Sequence, residues 1–153
     1  MTRARGASRS SFDVLARSLA IGVAAGSRAS LGLAPPLLTS SLSGPWGVLA
    51  KVVGALGVAA ELTGDKLPSA GSRLEQPGPP IRMASGAVGA LVIARRAEAG
   101  VLFPLLLGAA GGAAGTWGWA AWRAAAVGRR PDWQAAAVED AVALSLAAFA
   151  VRP

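Results

Sequence analysis

The chain has 153 residues, the length of one domain, and 53% of them are hydrophobic, above the share in a typical soluble domain. It contains no Cys, His or Tyr, which excludes disulfides, thiolate chemistry and histidine-dependent catalysis or metal binding. The net charge of +7 comes from basic residues beside apolar segments, which favours contact with lipid head groups and argues against a nucleic acid partner.

The first 17 residues are basic and rich in Ser, and we expect a disordered leader (1–17) before one multi-span domain (18–153). An apolar run from Leu19 to Leu38 follows, interrupted by Arg28 and ended by Pro35 and Pro36. A signal peptide is the alternative interpretation. Because apolar sequence resumes after Arg28, a first transmembrane helix is the favoured one.

Four further apolar segments follow in chain order: 46–64, 83–94, 101–127 and 135–151. The segment 83–94 is short for a span of about 20 residues and is predicted to be either a short helix or re-entrant. The chain between 65 and 82 is polar and rich in proline, which is typical of an exposed loop. The predicted fold class is therefore all-α, an integral membrane bundle of about five segments.

Small residues dominate the centre of the fourth segment, where glycines recur at spacings of three, four and seven. This pattern is typical of a helix face that approaches a neighbouring helix closely. It predicts a packing surface made of Gly108, Gly111, Gly112 and Gly115.

The distribution of Lys and Arg predicts the orientation of these segments. With five spans and the N-terminus on the inner side of the cell membrane, ten basic residues fall inside and three outside. In this topology the ends of segments two to five carry charged residues to one membrane face: Glu61, Asp65, Lys66, Arg82, Arg123, Glu139 and Asp140.

Arg28 is the most unusual charge, because it follows Arg17 by eleven residues, or roughly 16 Å along a helix, near the centre of a bilayer. A charge at that depth costs at least ~2.5 kcal/mol unless it is paired. We expect Arg28 to pair with Glu139 or Asp140, and with Glu61 if the second helix is the neighbour.

Several of these residues resemble a bacterial membrane family, designated domain of unknown function 4126. The resemblance extends from about Ile21 to Leu146 and rests on short motifs: Gly26-Ser27-Arg28, Glu61 with Asp65-Lys66-x-Pro68, Arg82 with Gly86-Ala87, and Glu139-Asp140. The family has no assigned role. The resemblance therefore implies a small multi-span protein and no particular activity.

Three functions remain open. The first is a small transporter or channel component whose interior carboxylates bind a cation or proton, with Arg28 as the counter-charge. The second is a membrane enzyme acting on lipid head groups, with carboxylates holding Mg²⁺. The third is a structural subunit. We expect no cofactor and no dedicated metal site; the expected partner is the lipid bilayer, and a homo-oligomer is an open alternative.

Overall fold

The computed structural model describes residues 2–41, 43–64, 74–75 and 77–153. Within them the chain is all-α, with no strand. The described helices are α1 (Thr2–Ser27), α2 (Ala29–Leu38), α3 (Gly44–Gly64), α4 (Gly78–Arg96), α5 (Leu102–Ala126) and α6 (Asp132–Val151). Asp65 and Lys66, two of the predicted site residues, lie outside the described residues.

The first apolar run is not one helix, because the chain reverses direction at Arg28. Arg28 has extended backbone angles (φ −137°, ψ 122°) and separates α1 from α2. Gly89 of α4 lies against both Ile21 of α1 and Gly32 of α2. In a straight helix these two residues would be about 16 Å apart, too far to meet at a single glycine. The prediction of a single spanning helix from Leu19 to Leu38 is therefore wrong.

Contacts at both ends of α1 and α2 show the same reversal. Arg17 of α1 and Thr39, just past α2, line one cavity together with Arg96 at the end of α4. Arg96 also donates hydrogen bonds to the Thr39 hydroxyl (3.1 Å) and to the Pro36 carbonyl. Arg17 donates to carbonyl oxygens at the end of α6, those of Ala150 and Arg152. We call this end of the bundle the terminal end.

The opposite end, which we call the reversal end, contains the start of α4, the end of α5 and the start of α6. Ser85 of α4 donates to the carbonyl of Ala29, and Arg123 of α5 pairs with Asp132 of α6 (2.9 Å). The helices therefore alternate in direction, and Arg17 lies at the same end as Arg152. The predicted topology placed Arg17 at the end that contains Arg123, and this placement is wrong, because Arg17 lies beside Arg152. The side of the membrane that each end faces stays a prediction.

Glycines form the centre of the bundle, where α1, α4 and α5 meet. A Cβ added at Gly111 of α5 would lie 2.7 Å from the carbonyl oxygen of Leu19, and one at Gly112 would lie 2.8 Å from that of Arg82. Gly108 lies against Gly86 of α4, and Gly115 lies against α1. The four glycines that the spacing predicted as a packing surface therefore occupy a three-helix contact, in which any side chain would force the backbones apart.

Proline and glycine account for several helix boundaries. Pro79 and Pro80 stand in the first turn of α4, where the missing N–H groups have no helical partner in any case. For this reason α4 starts at Gly78 and has 19 residues, so the segment 83–94 is part of a longer helix. Whether this helix spans a bilayer or is re-entrant stays a prediction. Gly128, with φ +74°, makes the turn between α5 and α6.

The other predicted segments agree with α3, α5 and α6 to within three residues at each end. The predicted leader differs from the structure, because α1 begins at Thr2 and passes through residue 17 without a break. Val14 and Ser18 are buried on the two sides of that predicted boundary. One described helix, α6, is long and apolar enough to cross a bilayer by length and composition, which does not by itself establish a membrane bundle.

The glycine contact generates a prediction that can be tested within α5 itself. Gly111→Ala should lower the free energy of unfolding by roughly 1–3 kcal/mol, because the added methyl group meets backbone atoms that cannot move independently. Gly118→Ala is the matched control, since a Cβ there meets nothing within 4 Å. Thermal unfolding of the purified protein measures both. Equal stability of the two variants would contradict a close contact at Gly111.

Candidate functional site

Charged residues from three helices surround the chain reversal. Arg28 donates from Nε and Nη2 to the two carboxylate oxygens of Asp140 in α6, at 3.2 and 3.3 Å. This two-point geometry is the strongest form of an arginine–carboxylate pair. The prediction that Arg28 pairs with Glu139 or Asp140 is confirmed for Asp140.

Glu139, the residue before Asp140, faces the interior of the bundle and has no exposed surface. The Ser27 hydroxyl donates to its Oε1 at 2.9 Å, and Arg123 of α5 approaches its Oε2 at 3.9 Å. A buried carboxylate is tolerated only with such hydrogen bonds and opposite charge. The consecutive residues Ser27 and Arg28 are thus held by the consecutive residues Glu139 and Asp140.

Glu61 of α3 holds the start of α2. Its two carboxylate oxygens accept the backbone N–H groups of Ala29 and Ser30, each at 2.8 Å. The first N–H groups of a helix lack partners within the helix, and Arg28 provides no side-chain cap for them. The Glu61 carboxylate therefore caps the N-terminus of α2 from another helix. The partial positive charge of the N-terminus of α2 also attracts this carboxylate.

A cavity of about 210 Å³ lies among these groups, lined by Arg28, Ser30, Leu31, Val58, Glu61, Asp140 and Leu144. When ionised, the one guanidinium and the two carboxylates among the described lining residues carry a net charge of −1. Asp140 follows Asp132, in the first turn of α6, by eight residues, which places the cavity about 12 Å inside the reversal end. The arrangement is suited to hold a single positive charge inside an otherwise apolar bundle.

Four of the predicted site residues therefore meet at the reversal: Arg28, Glu61, Glu139 and Asp140. Arg82 is half-buried near the start of α4, at the same end of the bundle, and its backbone packs on Gly112 of α5. Asp65 and Lys66 are outside the described residues, so their predicted role stays a prediction.

Ser27 enters the sequence prediction only as part of a family motif. Arg123 is predicted near Glu139 and Asp140 but is not included among the site residues. Ser27 and Arg123 each contact Glu139, which connects α1, α5 and α6 through a single side chain. The available signal was the match between two adjacent polar pairs, Ser27-Arg28 and Glu139-Asp140, within apolar segments.

The described residues contain no group of three or more carboxylates arranged to hold a metal ion. No family model, curated protein or solved structure matches the chain. The resemblance to family 4126 accordingly stays a hypothesis, and the geometry of the reversal is the basis for any functional argument.

The Arg28–Asp140 pair can be measured by a double-mutant cycle with Arg28→Gln and Asp140→Asn. We expect a coupling of roughly 0.5–3 kcal/mol in the free energy of unfolding, because either single variant leaves its partner's charge uncompensated. Combining Arg28→Gln with Asp132→Asn is the control, since Asp132 pairs with Arg123. That control cycle should be additive. Additivity in both cycles would mean that Arg28 and Asp140 do not interact in solution.

Proposed function

We propose that the protein is an integral membrane bundle and a small transporter or channel-like component, with a proton or a small monovalent cation as the bound species. The membrane part is supported by the distribution of side-chain size. Large apolar side chains face outward, with exposed fractions of 73% for Trp46 of α3, 70% for Phe103 of α5 and 70% for Trp133 of α6. Most of the buried apolar residues are alanines. Such an inside-out pattern suits lipid, because small residues let helices pack closely in a bilayer.

The positions of the charges support the same proposal. Arg17, Arg96 and Arg152 lie at the terminal end, and Arg123 and Asp132 lie at the reversal end. Between Asp132 and Val151 the 20 residues of α6 extend about 30 Å, which matches the thickness of the hydrocarbon core. The described side chains between these two levels are mostly apolar; the charged ones are those at the reversal and the exposed Lys51 of α3.

The observation that carries the transport proposal is the discontinuous α1–α2 segment, whose break faces carboxylates from two other helices. Broken helices at mid-membrane depth are typical of the ion and substrate sites of transporters, since they expose backbone groups that a continuous helix would satisfy. The described residues that line the cavity next to the break carry a net charge of −1, which favours a single positive charge. Arg28 is the internal counter-charge that Asp140 binds when the site is empty.

A flux measurement in proteoliposomes tests this proposal. A potassium diffusion potential would drive protons or sodium ions into vesicles that contain the purified protein and a reporter dye. We expect flux above that of protein-free vesicles. Asp140→Asn and Glu61→Gln should each reduce it about tenfold, the effect of about 1.4 kcal/mol from one charge-assisted contact.

Two controls make the result decisive. Glu75→Gln changes an exposed carboxylate outside the helices and should leave the flux unchanged. Carbonate washing of membranes from expressing cells should leave the protein in the membrane pellet. Release by carbonate would overturn the membrane proposal, and a membrane protein without flux of either ion would overturn the transport proposal in favour of a structural role for the charges.

A further inference from the structure

A second cavity opens beside the charged site, between α3 and α4 on the outer side of α2. It has a volume of about 560 Å³, and its wall is almost entirely apolar. Its apolar lining includes Leu33, Val53, Ile81 and Val88. The ten-residue helix α2 lies between α3 and α4, and residues of all three helices line the groove.

Among the described residues that line this groove, Glu61 is the one that is ionisable. It also lines the smaller charged cavity, so its carboxylate stands between the two spaces. In the part of the chain that the structure describes, its oxygens accept two backbone N–H groups and form no ion pair with a basic side chain. Each carboxylate oxygen therefore retains acceptor capacity, since an ionised carboxylate accepts about four hydrogen bonds.

We propose that the groove binds a single-chain amphipathic amine, with its ammonium group on the Glu61 carboxylate and its alkyl chain between α3 and α4. Charge complementarity selects the head group, because a cation completes the acceptor positions of Glu61 and compensates its charge in an apolar environment. The hydroxyl groups of Ser30 and Ser85 line the same groove and add polar groups next to the head. The volume lies within the range of about 300–1,000 Å³ of small-molecule pockets and suits one alkyl chain.

This inference deepens the proposed function, on which it rests, by naming a substrate class for the same carboxylate. The occupied groove places a positive charge against Glu61, next to Arg28 and Asp140 across the charged cavity. An amine could reach Glu61 laterally from the lipid phase, since the groove is open between two helices whose exposed residues include Val53 and Ile81.

The experiment uses decylammonium with a photoactivatable diazirine at the end of its chain, and the full-length protein in phosphatidylcholine nanodiscs. Mass spectrometry of the digested protein locates the covalent labels. We expect labels on α3 and α4 at groove residues such as Val53, Ile81 and Val88. Glu61→Gln should reduce the labelling about tenfold, as expected for the loss of one charge-assisted hydrogen bond. The neutral control probe, decanol with the same diazirine, should label weakly and show no effect of Glu61→Gln.

Gly57→Leu is the variant that blocks the groove without disturbing the fold. Gly57 lines the groove, and a Cβ added there meets nothing within 4 Å, so a larger side chain can start from this position without a backbone clash. It should abolish labelling by the ammonium probe. Glu75→Gln changes a residue that is not among those lining the groove, and this variant should label as the unmodified protein does.

Equal labelling by the ammonium and alcohol probes would overturn the inference, since it would show a site for any alkyl chain. Labelling that Gly57→Leu does not reduce would also overturn it. The proposed function can fail separately. If labelling depends on Glu61 but the protein shows no ion flux, the amine site is supported and the transport of protons or small cations is contradicted. If the protein shows ion flux but no labelling that depends on Glu61, only the amine-site inference is contradicted.

Discussion

The structure depends on one constraint, the need to satisfy a chain reversal inside an apolar bundle. When Arg28 adopts an extended conformation, the first N–H groups of α2 lose their helical acceptors, and a guanidinium enters the interior. Both problems are solved by carboxylates on other helices: Glu61 of α3 accepts the N–H groups, and Asp140 of α6 binds the guanidinium. These two contacts join α3 and α6 to the reversal.

The glycine contact of α1, α4 and α5 provides the rigid part against which the reversal is held. Because the backbones touch at Gly22, Gly86 and Gly108, these helices leave little room for relative movement. By contrast, α3 packs mainly on α2, with Gly54 at ordinary van der Waals distances from Ala34 and Leu37 and with Glu61 at the N-terminus of α2. Several of its large apolar side chains, such as Trp46 and Leu56, are exposed. The proposed ion and amine sites lie between the closely packed helices α1, α4 and α5 and the less constrained helix α3. A bound ligand can therefore shift α3 at a lower energetic cost than it could shift the other three helices.

Much of this arrangement was accessible from the sequence, and the failures have a physical cause. Hydropathy located α3, α5 and α6, and glycine spacing located the packing face. The penalty for a buried charge predicted Glu139 or Asp140, with Glu61 as the alternative, as the partner of Arg28, and the structure has Asp140. The reversal was missed because apolar residues continue on both sides of Arg28, and hydropathy does not distinguish a straight helix from two antiparallel halves. That single error also misplaced the leader, because an unpredicted reversal at Arg28 moves the residues before it to the opposite end of the bundle. The cap formed by Glu61 was not predictable, because it depends on backbone N–H groups that only the break exposes.

The most direct test of this account is the distance between Leu19 and Leu38, measured by double electron–electron resonance with spin labels on Leu19→Cys and Leu38→Cys. The chain has no native cysteine, and both side chains are exposed enough to label, at 43% and 45%. The reversal predicts a separation below about 20 Å, set mainly by the spacing of neighbouring helices. A pair on α5, Leu102→Cys with Trp122→Cys, calibrates a continuous helix at about 30 Å. A distance of about 28 Å or more between the first pair, close to that calibration, would contradict the reversal.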